Sequence, residues 1–290
     1  MEKILFIGMG TMGYPMAGHL QLAGKLVTVY NRTTSVAKKW SDQYGGNFTE
    51  DLLLEASMSD FVFACVGDDN DLRDITYGKN GVLNSMKPNS IFIDHTTASA
   101  SVEKEIQKIA ESLKVKYLDA PVSGGEKGAK DGKLTIMCGG EKDVFEEAKK
   151  IMNIYSLNCV LMGEIGNGQL SKMANQICIA GILQGLAEAI NFAQNADLDV
   201  PDLVSVISKG AAGSWQLENR GTTMAANEFD FGFAVDWMRK DLDICLREAE
   251  RNGSSLPLVS LVDQFYKELQ LMGGGRLDTS SLIKRLKNFN

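Results

Sequence analysis

Proline and histidine are scarce in this 290-residue chain, at 5 and 2 residues, and its 5 cysteines include no CxxC pair. So little proline excludes a linker-like or polyproline composition. His19 and His95 belong to no HExxH or Cys/His set, so no metal is expected. An odd cysteine count, with Cys65, Cys138, Cys159 and Cys178 in apolar runs, reads as small buried hydrophobes in a reducing compartment and not as a disulfide scaffold. An unbroken apolar run of the roughly 20 residues needed to span a bilayer is missing too. The longest apolar segment, 177–193, is interrupted by Gln184, Glu188 and Asn191, so no membrane association is expected. The opening MEKILFIG enters a strand pattern at once, unlike a secretory leader, and the expected location is cytoplasmic. Excess positive charge is also absent. Thirty basic against 37 acidic residues give a net charge of −7, which speaks against a nucleic-acid partner.

What is abundant is glycine, at 29 residues, about 10% of the chain against a usual value of about 7%. Short β-rich runs at 3–7, 26–30, 60–66, 90–94, 115–119, 134–138 and 159–162 alternate with helical periodicity at 14–23, 35–44, 101–113 and 142–151. That alternation predicts βαβ units and a parallel sheet. Beyond Gly163 the pattern is helical only, beginning with one long helix over 166–195 and continuing near 201–209, 214–226, 237–252, 257–270 and 280–286. The expected organisation is an α/β domain over 1–163 followed by an all-α domain over 164–290.

Gly8-Met9-Gly10-Thr11-Met12-Gly13 matches GxGxxG, directly after the strand KILFI and at the start of a helix with Pro15 in its first turn. In that context the motif predicts a dinucleotide site. Gly8 permits the turn, Gly10 the approach of a pyrophosphate, and Gly13 close helix–strand packing. The helix N-terminus offers free N–H groups to the anion. The plainer reading is an ordinary strand–turn–helix corner. After the second strand stand Asn31, Arg32 and Thr33, where an acidic residue would favour NAD. Arg32 can pair with a 2′-phosphate, so NADP is favoured over NAD; otherwise it is a solvated loop cation.

Ser123-Gly124-Gly125 follows a predicted strand end. Its N–H groups can form a nest for a carboxylate, or simply a glycine-rich β-turn. Lys172, Asn175 and Gln176 are spaced i, i+3, i+4 on the long helix, ahead of an apolar stretch. They read either as a polar cluster with a purpose or as the solvated end of an amphipathic helix. Gly181 and Gly185 suggest close helix packing, and Trp215 and Trp237 suggest core or interface positions.

GMGTMGYPMA at 8–17, DAPVSGGEKGAKDGKLTIMCGG at 119–140, GNGQLSKMANQ at 166–176 and KDL at 240–242 together resemble the β-hydroxyacid dehydrogenases, the family of 3-hydroxyisobutyrate dehydrogenase and 2-hydroxy-3-oxopropionate reductase. The resemblance runs over essentially the whole chain. It implies a Rossmann domain and an all-α domain joined by a long inter-domain helix, and a homodimer or homotetramer formed through the helical domain. Lys172 then matches the catalytic lysine. Ser123, Gly124, Gly125, Asn175, Gln176, Phe233 and Asp241 match positions on the substrate side. Val66, Thr97 and Lys240 join the 8–13 turn and Asn31–Thr33 on the cofactor side. Three positions depart from the family pattern: Ala100 and Gly67 stand where proline is usual, and His19 where asparagine is common.

The resemblance implies reversible hydride transfer between nicotinamide and a small carboxylate-bearing 3-hydroxy acid or semialdehyde, with Lys172 as general acid or base. A free lysine has a pKa near 10.4, so a working base needs it depressed by desolvation or a nearby cation such as Lys240. The GGE sequence after Ser123 and Asp236 ahead of Lys240 lean towards a 2-hydroxy-3-oxopropionate reductase. 3-Hydroxyisobutyrate, succinic semialdehyde and glyoxylate stay open. Asn175 argues against 6-phosphogluconate dehydrogenase, where histidine stands, and Lys172 against imine reductases, which usually replace it. A non-catalytic NADP-binding module is the alternative from another class.

Overall fold

The computed structural model describes residues 2–287. The chain divides into two compact units, Met1–Lys172 and Met173–Asn290. In the first lie β1 (Lys3–Ile7), α1 (Gly13–Leu22), β2 (Leu26–Tyr30), α2 (Thr34–Tyr44), β3 (Asn47–Phe48), α3 (Leu52–Met58), β4 (Phe61–Ala64) and α4 (Asp69–Thr76). They are followed by β5 (Ile91–Asp94), α5 (Ala100–Ser112), β6 (Lys116–Asp119), β7 (Val122–Ser123), α6 (Gly125–Lys130), β8 (Leu134–Gly140), α7 (Lys142–Met152) and β9 (Ser156–Gly163). Helix α8 (Asn167–Asn195) runs across the boundary between the units. The second unit continues with α9 (Val200–Ile207), α10 (Trp215–Ala225), α11 (Val235–Asn252), α12 (Pro257–Leu271) and α13 (Leu282–Lys287).

The sheet order is β3-β2-β1-β4-β5-β6-β8-β7, with β9 also paired to β8. Six strands, β1 to β6, pair in parallel, as the alternating pattern predicts. The sheet is nonetheless mixed, because β8 runs antiparallel to β6 and β7. The turn at Ser123–Gly125 and the one-and-a-half-turn α6 send the chain back instead of across in a full crossover. The central strands are predominantly apolar because both faces are covered. Ile4 and Phe6 of β1 and Phe61 and Phe63 of β4 enter one core, while Leu5, Ile7, Val62 and Ala64 enter the other.

The first turns of α8 belong to the α/β unit, which extends to Lys172. With 29 residues, α8 is long and apolar enough to cross a membrane by length and composition alone. The three polar residues interrupt it less than expected, since Gln184 and Glu188 bond to each other at 2.6 Å along the helix. Leu183, Ala187 and Ile190 fill the core of the helical unit with Val235, Met238, Val262 and Tyr266.

Some residues lie where the sequence pattern does not put them. Cys178 is exposed on α8, whereas Cys245, outside any apolar run, is buried. Trp215 and Trp237 are each more than two-fifths exposed, beneath Arg220 and Lys240 respectively, which removes the core half of their core-or-interface reading. His19 packs on α6, its Nε2 donating to the Ala129 carbonyl at 3.0 Å. Gly181 lies against Leu258, but Gly185 faces open space, so only half of that pair serves packing within the chain.

Candidate active site

The turn from β1 into α1 is built by two glycines that no other residue can replace. A Cβ on Gly8 would stand 2.2 Å from the Cys65 carbonyl oxygen, and one on Gly13 would stand 1.9 Å from that of Gly8. Gly8 also has a φ of +95°. Gly10 is different: it is exposed, and a Cβ there would meet nothing within 4 Å. The protein itself places no demand on it. The space fits a ligand that must reach the backbone at the N-terminus of α1, as a dinucleotide pyrophosphate does. Met9 is buried and its N–H donates to Asn31 Oδ1 at 3.0 Å, while Asn31 Nδ2 donates to the Thr33 carbonyl. Thr11 is exposed and Met12 half-buried in the same turn.

Arg32 is almost fully exposed and pairs with Asp71 at 3.2 Å, and the other oxygen of Asp71 accepts the Gly67 N–H. The two missing prolines are compensated here by carboxylates. Asp68 caps α4 through the N–H groups of Asn70 and Asp71. Asp69 takes both the N–H and the hydroxyl of Ser99, which itself caps α5 one residue before Ala100. Val66 donates its N–H to Thr96 Oγ1 at 3.0 Å, so the β4 end and the half-buried Thr97 loop are joined. The structure therefore gathers the glycine turn, Asn31, Arg32, Val66 and the Thr97 loop around the carboxyl ends of β1, β2, β4 and β5, where open α/β sheets bind ligands.

His95 is not part of this rim. It is buried, stacked on Phe63, with Nδ1 donating to the Ala120 carbonyl at 2.6 Å and Nε2 accepting from the Tyr155 hydroxyl at 2.9 Å. Burial holds its imidazole down to about 4, so it stays neutral.

Ser123 ends β7, paired with Thr135 of β8, and leads into Gly124 and Gly125. Both glycines are exposed, with φ of +128° and +61°. Positive φ at both positions is backbone that favours glycine, and neither position carries a side chain that would cover the turn.

Sequence reasoning missed a buried polar cluster under the start of α8. Asp119, at the end of β6, accepts the Gly166 N–H at 2.7 Å and the Gln169 N–H at 2.9 Å. A Cβ on Gly139 or Gly168 would collide with that carboxylate. Beside it lie Asp94 of β5 and Glu103 of α5, both fully buried, with the Tyr117 hydroxyl donating to Glu103 at 2.6 Å. Burial pushes Asp94 up to about 7 and Asp119 to about 6. Burial, then the charges of Asp94 and Asp119, push Glu103 well above the usual carboxyl range. One turn beyond this cluster on α8 is Lys172, only 7% exposed.

In the helical unit the remaining candidates form a chain. Asn175 Nδ2 donates to Gln176 Oε1 at 2.8 Å, Gln176 Nε2 donates to Asp241 Oδ2 at 2.7 Å, and Lys240 pairs with Asp241 at 3.1 Å. Phe233 is half-buried against the core of that unit. Asp236 is held within the unit: it accepts from Gln270, which also binds Arg239.

Comparison with known proteins places the whole chain in one family. Residues 3–163 match the model for the NAD binding domain of 6-phosphogluconate dehydrogenase, and residues 166–286 that for the NAD-binding region of NADP-dependent 3-hydroxyisobutyrate dehydrogenase. A probable 3-hydroxyisobutyrate dehydrogenase-like mitochondrial protein of Arabidopsis thaliana is 40% identical, over 99% of this chain and 86% of its own. The 2-hydroxy-3-oxopropionate reductase of Escherichia coli is 32% identical, over 98% of this chain and 97% of its own. The structure of Mycobacterium tuberculosis 3-hydroxyisobutyrate dehydrogenase with L-serine superposes with a TM-score of 0.88 at 28% identity, covering 99% of both chains. The chain belongs to the β-hydroxyacid dehydrogenase family. Within that family it is an NAD-binding dehydrogenase of the 3-hydroxyisobutyrate dehydrogenase type, with a nicotinamide cofactor.

Proposed function

We propose that the protein is a cytoplasmic, NADP-preferring reductase of small carboxylate-bearing semialdehydes, working reversibly on the corresponding 3-hydroxy acids, with Lys172 as general acid and base. The observation that carries this reading is the burial of Lys172. Lysine is almost never fully buried unless its ammonium group is engaged, and this one, 7% exposed, stands at the position that matches the family's catalytic lysine. In reduction the Lys172 ammonium polarises the carbonyl oxygen and gives it a proton; in oxidation the neutral amine takes the hydroxyl proton. Asn175 and Gln176, which follow Lys172 by one turn on α8, orient the reacting oxygen, and Gln176 is itself fixed by Asp241. The N–H groups of Ser123, Gly124 and Gly125 hold the substrate carboxylate. Phe233 and Asp241 shape the substrate side and Lys240 serves the cofactor side.

The glycine turn at 8–13, Asn31–Thr33, Val66 and Thr97 are the groups that would hold a nicotinamide dinucleotide. When bound, that cofactor supplies the hydride chemistry at its nicotinamide C4. Arg32 supports NADP, because its exposed guanidinium follows β2 where Asn31 stands in place of the acidic residue that favours NAD. The likeness to the reductase from Escherichia coli supports 2-hydroxy-3-oxopropionate as the first substrate to try. 3-Hydroxyisobutyrate and its semialdehyde come next. Exposed apolar side chains on α8 and α12, Ile182, Phe192, Leu258 and Leu261, support a homodimer or homotetramer.

The test is NADPH oxidation with a panel of small semialdehydes, on the native protein and on Lys172→Ala. Turnover by the native protein, reduced by about three orders of magnitude or more in a variant that still binds NADPH, is expected. Near-native turnover of Lys172→Ala overturns the role of the lysine. Cofactor binding without turnover on the whole panel marks a binding module instead.

A further inference from the structure

Gln169 is completely buried in the first turn of α8, and its amide uses three hydrogen bonds at once. Nε2 donates to the Thr96 carbonyl and to Glu103 Oε1, both at 2.7 Å, and Oε1 accepts the Ala98 N–H at 3.1 Å. Thr96 and Ala98 flank Thr97. The backbone N–H of the same residue is bound by Asp119. A buried amide with all these sites occupied has one orientation and no alternative partner in water.

We propose that Gln169 is a positioning residue that locks the Thr97 loop to the helix turn presenting Lys172, so that cofactor and proton-transfer groups keep one spacing. The inference rests on the roles given above to Thr97 and Lys172. A glutamine is required because the two groups it must bridge differ in kind. The loop presents one carbonyl and one N–H, so the bridging side chain needs a donor and an acceptor in one plane. Serine or lysine offers neither this span nor this pairing. Glu103 completes the donor end. It receives Tyr117 from β6 as well as Gln169, and it faces the carboxyls of Asp94 and Asp119. Asp94 Oδ2 is buried and receives no N–H or O–H from the described residues. A proton carried on Glu103 is the donor that fits this oxygen, and it allows Glu103 to remain an acceptor for Gln169 without placing three charges together.

Gln169→Met keeps the volume and removes the three hydrogen bonds. Two constants are read on the full-length protein: the NADPH dissociation constant from cofactor fluorescence, and kcat with the best semialdehyde. Displacement of reacting groups by about 1 Å costs on the order of a hundredfold in rate, so kcat is expected to fall by about tenfold to a hundredfold. The dissociation constant is expected to rise by about fivefold or more, corresponding to about 1 kcal/mol. Either constant within about twofold of the native value, with only a lower melting temperature, is the signature of a merely structural glutamine and overturns the proposal. Binding is read without turnover, so failure of the Lys172 role would show in Lys172→Ala and leave the cofactor result for Gln169→Met standing. Should Gln169→Met not fold, Glu103 answers the same question. Glu103→Gln keeps an acceptor for Gln169 and a donor for Asp94, and both constants are expected to persist. Glu103→Leu removes the acceptor and is expected to shift both in the direction given for Gln169→Met. Identical constants in the two Glu103 variants overturn the proposal.

Discussion

Asn31 Oδ1 accepts the Met9 N–H at 3.0 Å, so the residue that closes β2 also ties down the glycine turn after β1. With Asn31 committed to the backbone, the next side chain, Arg32, is the one that the proposal above assigns to the 2′-phosphate of NADP. Its present partner is Asp71.

Arg32→Ala is therefore expected to weaken NADP binding by about tenfold to a hundredfold, the worth of a charge-assisted hydrogen bond, and to leave NAD nearly unchanged. Asp71→Asn releases the guanidinium and shifts the preference further towards NADP. Steady-state KM values for both cofactors decide the matter, and an unaltered NADP/NAD ratio in Arg32→Ala rules out this arginine as the discriminator.

Gly10 and Gly13 predict opposite outcomes for one added methyl. Gly13→Ala puts a Cβ 1.9 Å from a carbonyl oxygen and is expected to cost about 3 kcal/mol or more in urea unfolding. Gly10→Ala meets open space and is expected to keep its stability within about 0.5 kcal/mol while losing cofactor affinity. A Gly10→Ala protein with native affinity would mean that nothing approaches that backbone.

His95 sets part of the acid response. Its folded-state value is lowered to about 4, below the ordinary 6.5. Between those values the unfolded chain binds a proton that the native protein refuses, so stability is present above pH 6.5 and is lost as pH falls towards 4. The full loss is of order 3 kcal/mol. His95→Gln is expected to be less stable at pH 7, because the bonds to Ala120 and Tyr155 are disturbed, yet to show a flatter profile between pH 6.5 and 4. Parallel melting curves for the two proteins across that range would refute this.

Phe192 is 71% exposed on α8, and Ile182 lies on the same helix. Phe192→Asp is expected to convert a dimer or tetramer into a smaller species in sedimentation velocity, with the chain still folded. An unchanged mass would remove Phe192 from the proposed subunit contact.

Strands such as KILFI, LVTVY and IFID were legible because sheet burial on both faces demands largely apolar, β-branched or aromatic runs, and the long helices because 3.6-residue periodicity persists over several turns. Helices α3, α4 and α6 were not: α4 (DNDLRDIT) and α6 (GEKGAK) hold too few apolar residues to mark a buried face, and α3 is a single seven-residue stretch directly ahead of a strand. The reversal at β8 was hidden for the same reason. The glycine turn could be read because its chemistry is local. The cluster of Asp94, Glu103, Asp119 and Gln169 could not: its members come from four elements, and Glu103 sits in ASVEKEIQKIAES, which reads as an amphipathic helix with a solvated face. Polar residues look like surface until a fold brings them together.

The collar that Asp119 makes around the first turn of α8 decides where the two halves of this protein can be separated. A fragment ending at Gly163 would strip that carboxylate of the Gly166 and Gln169 N–H groups and leave Glu103 without its amide. Three acidic side chains would then line a cavity opened to water. A fragment ending after Lys172 carries its own plug, and is the one to express when the nucleotide-binding half is wanted alone.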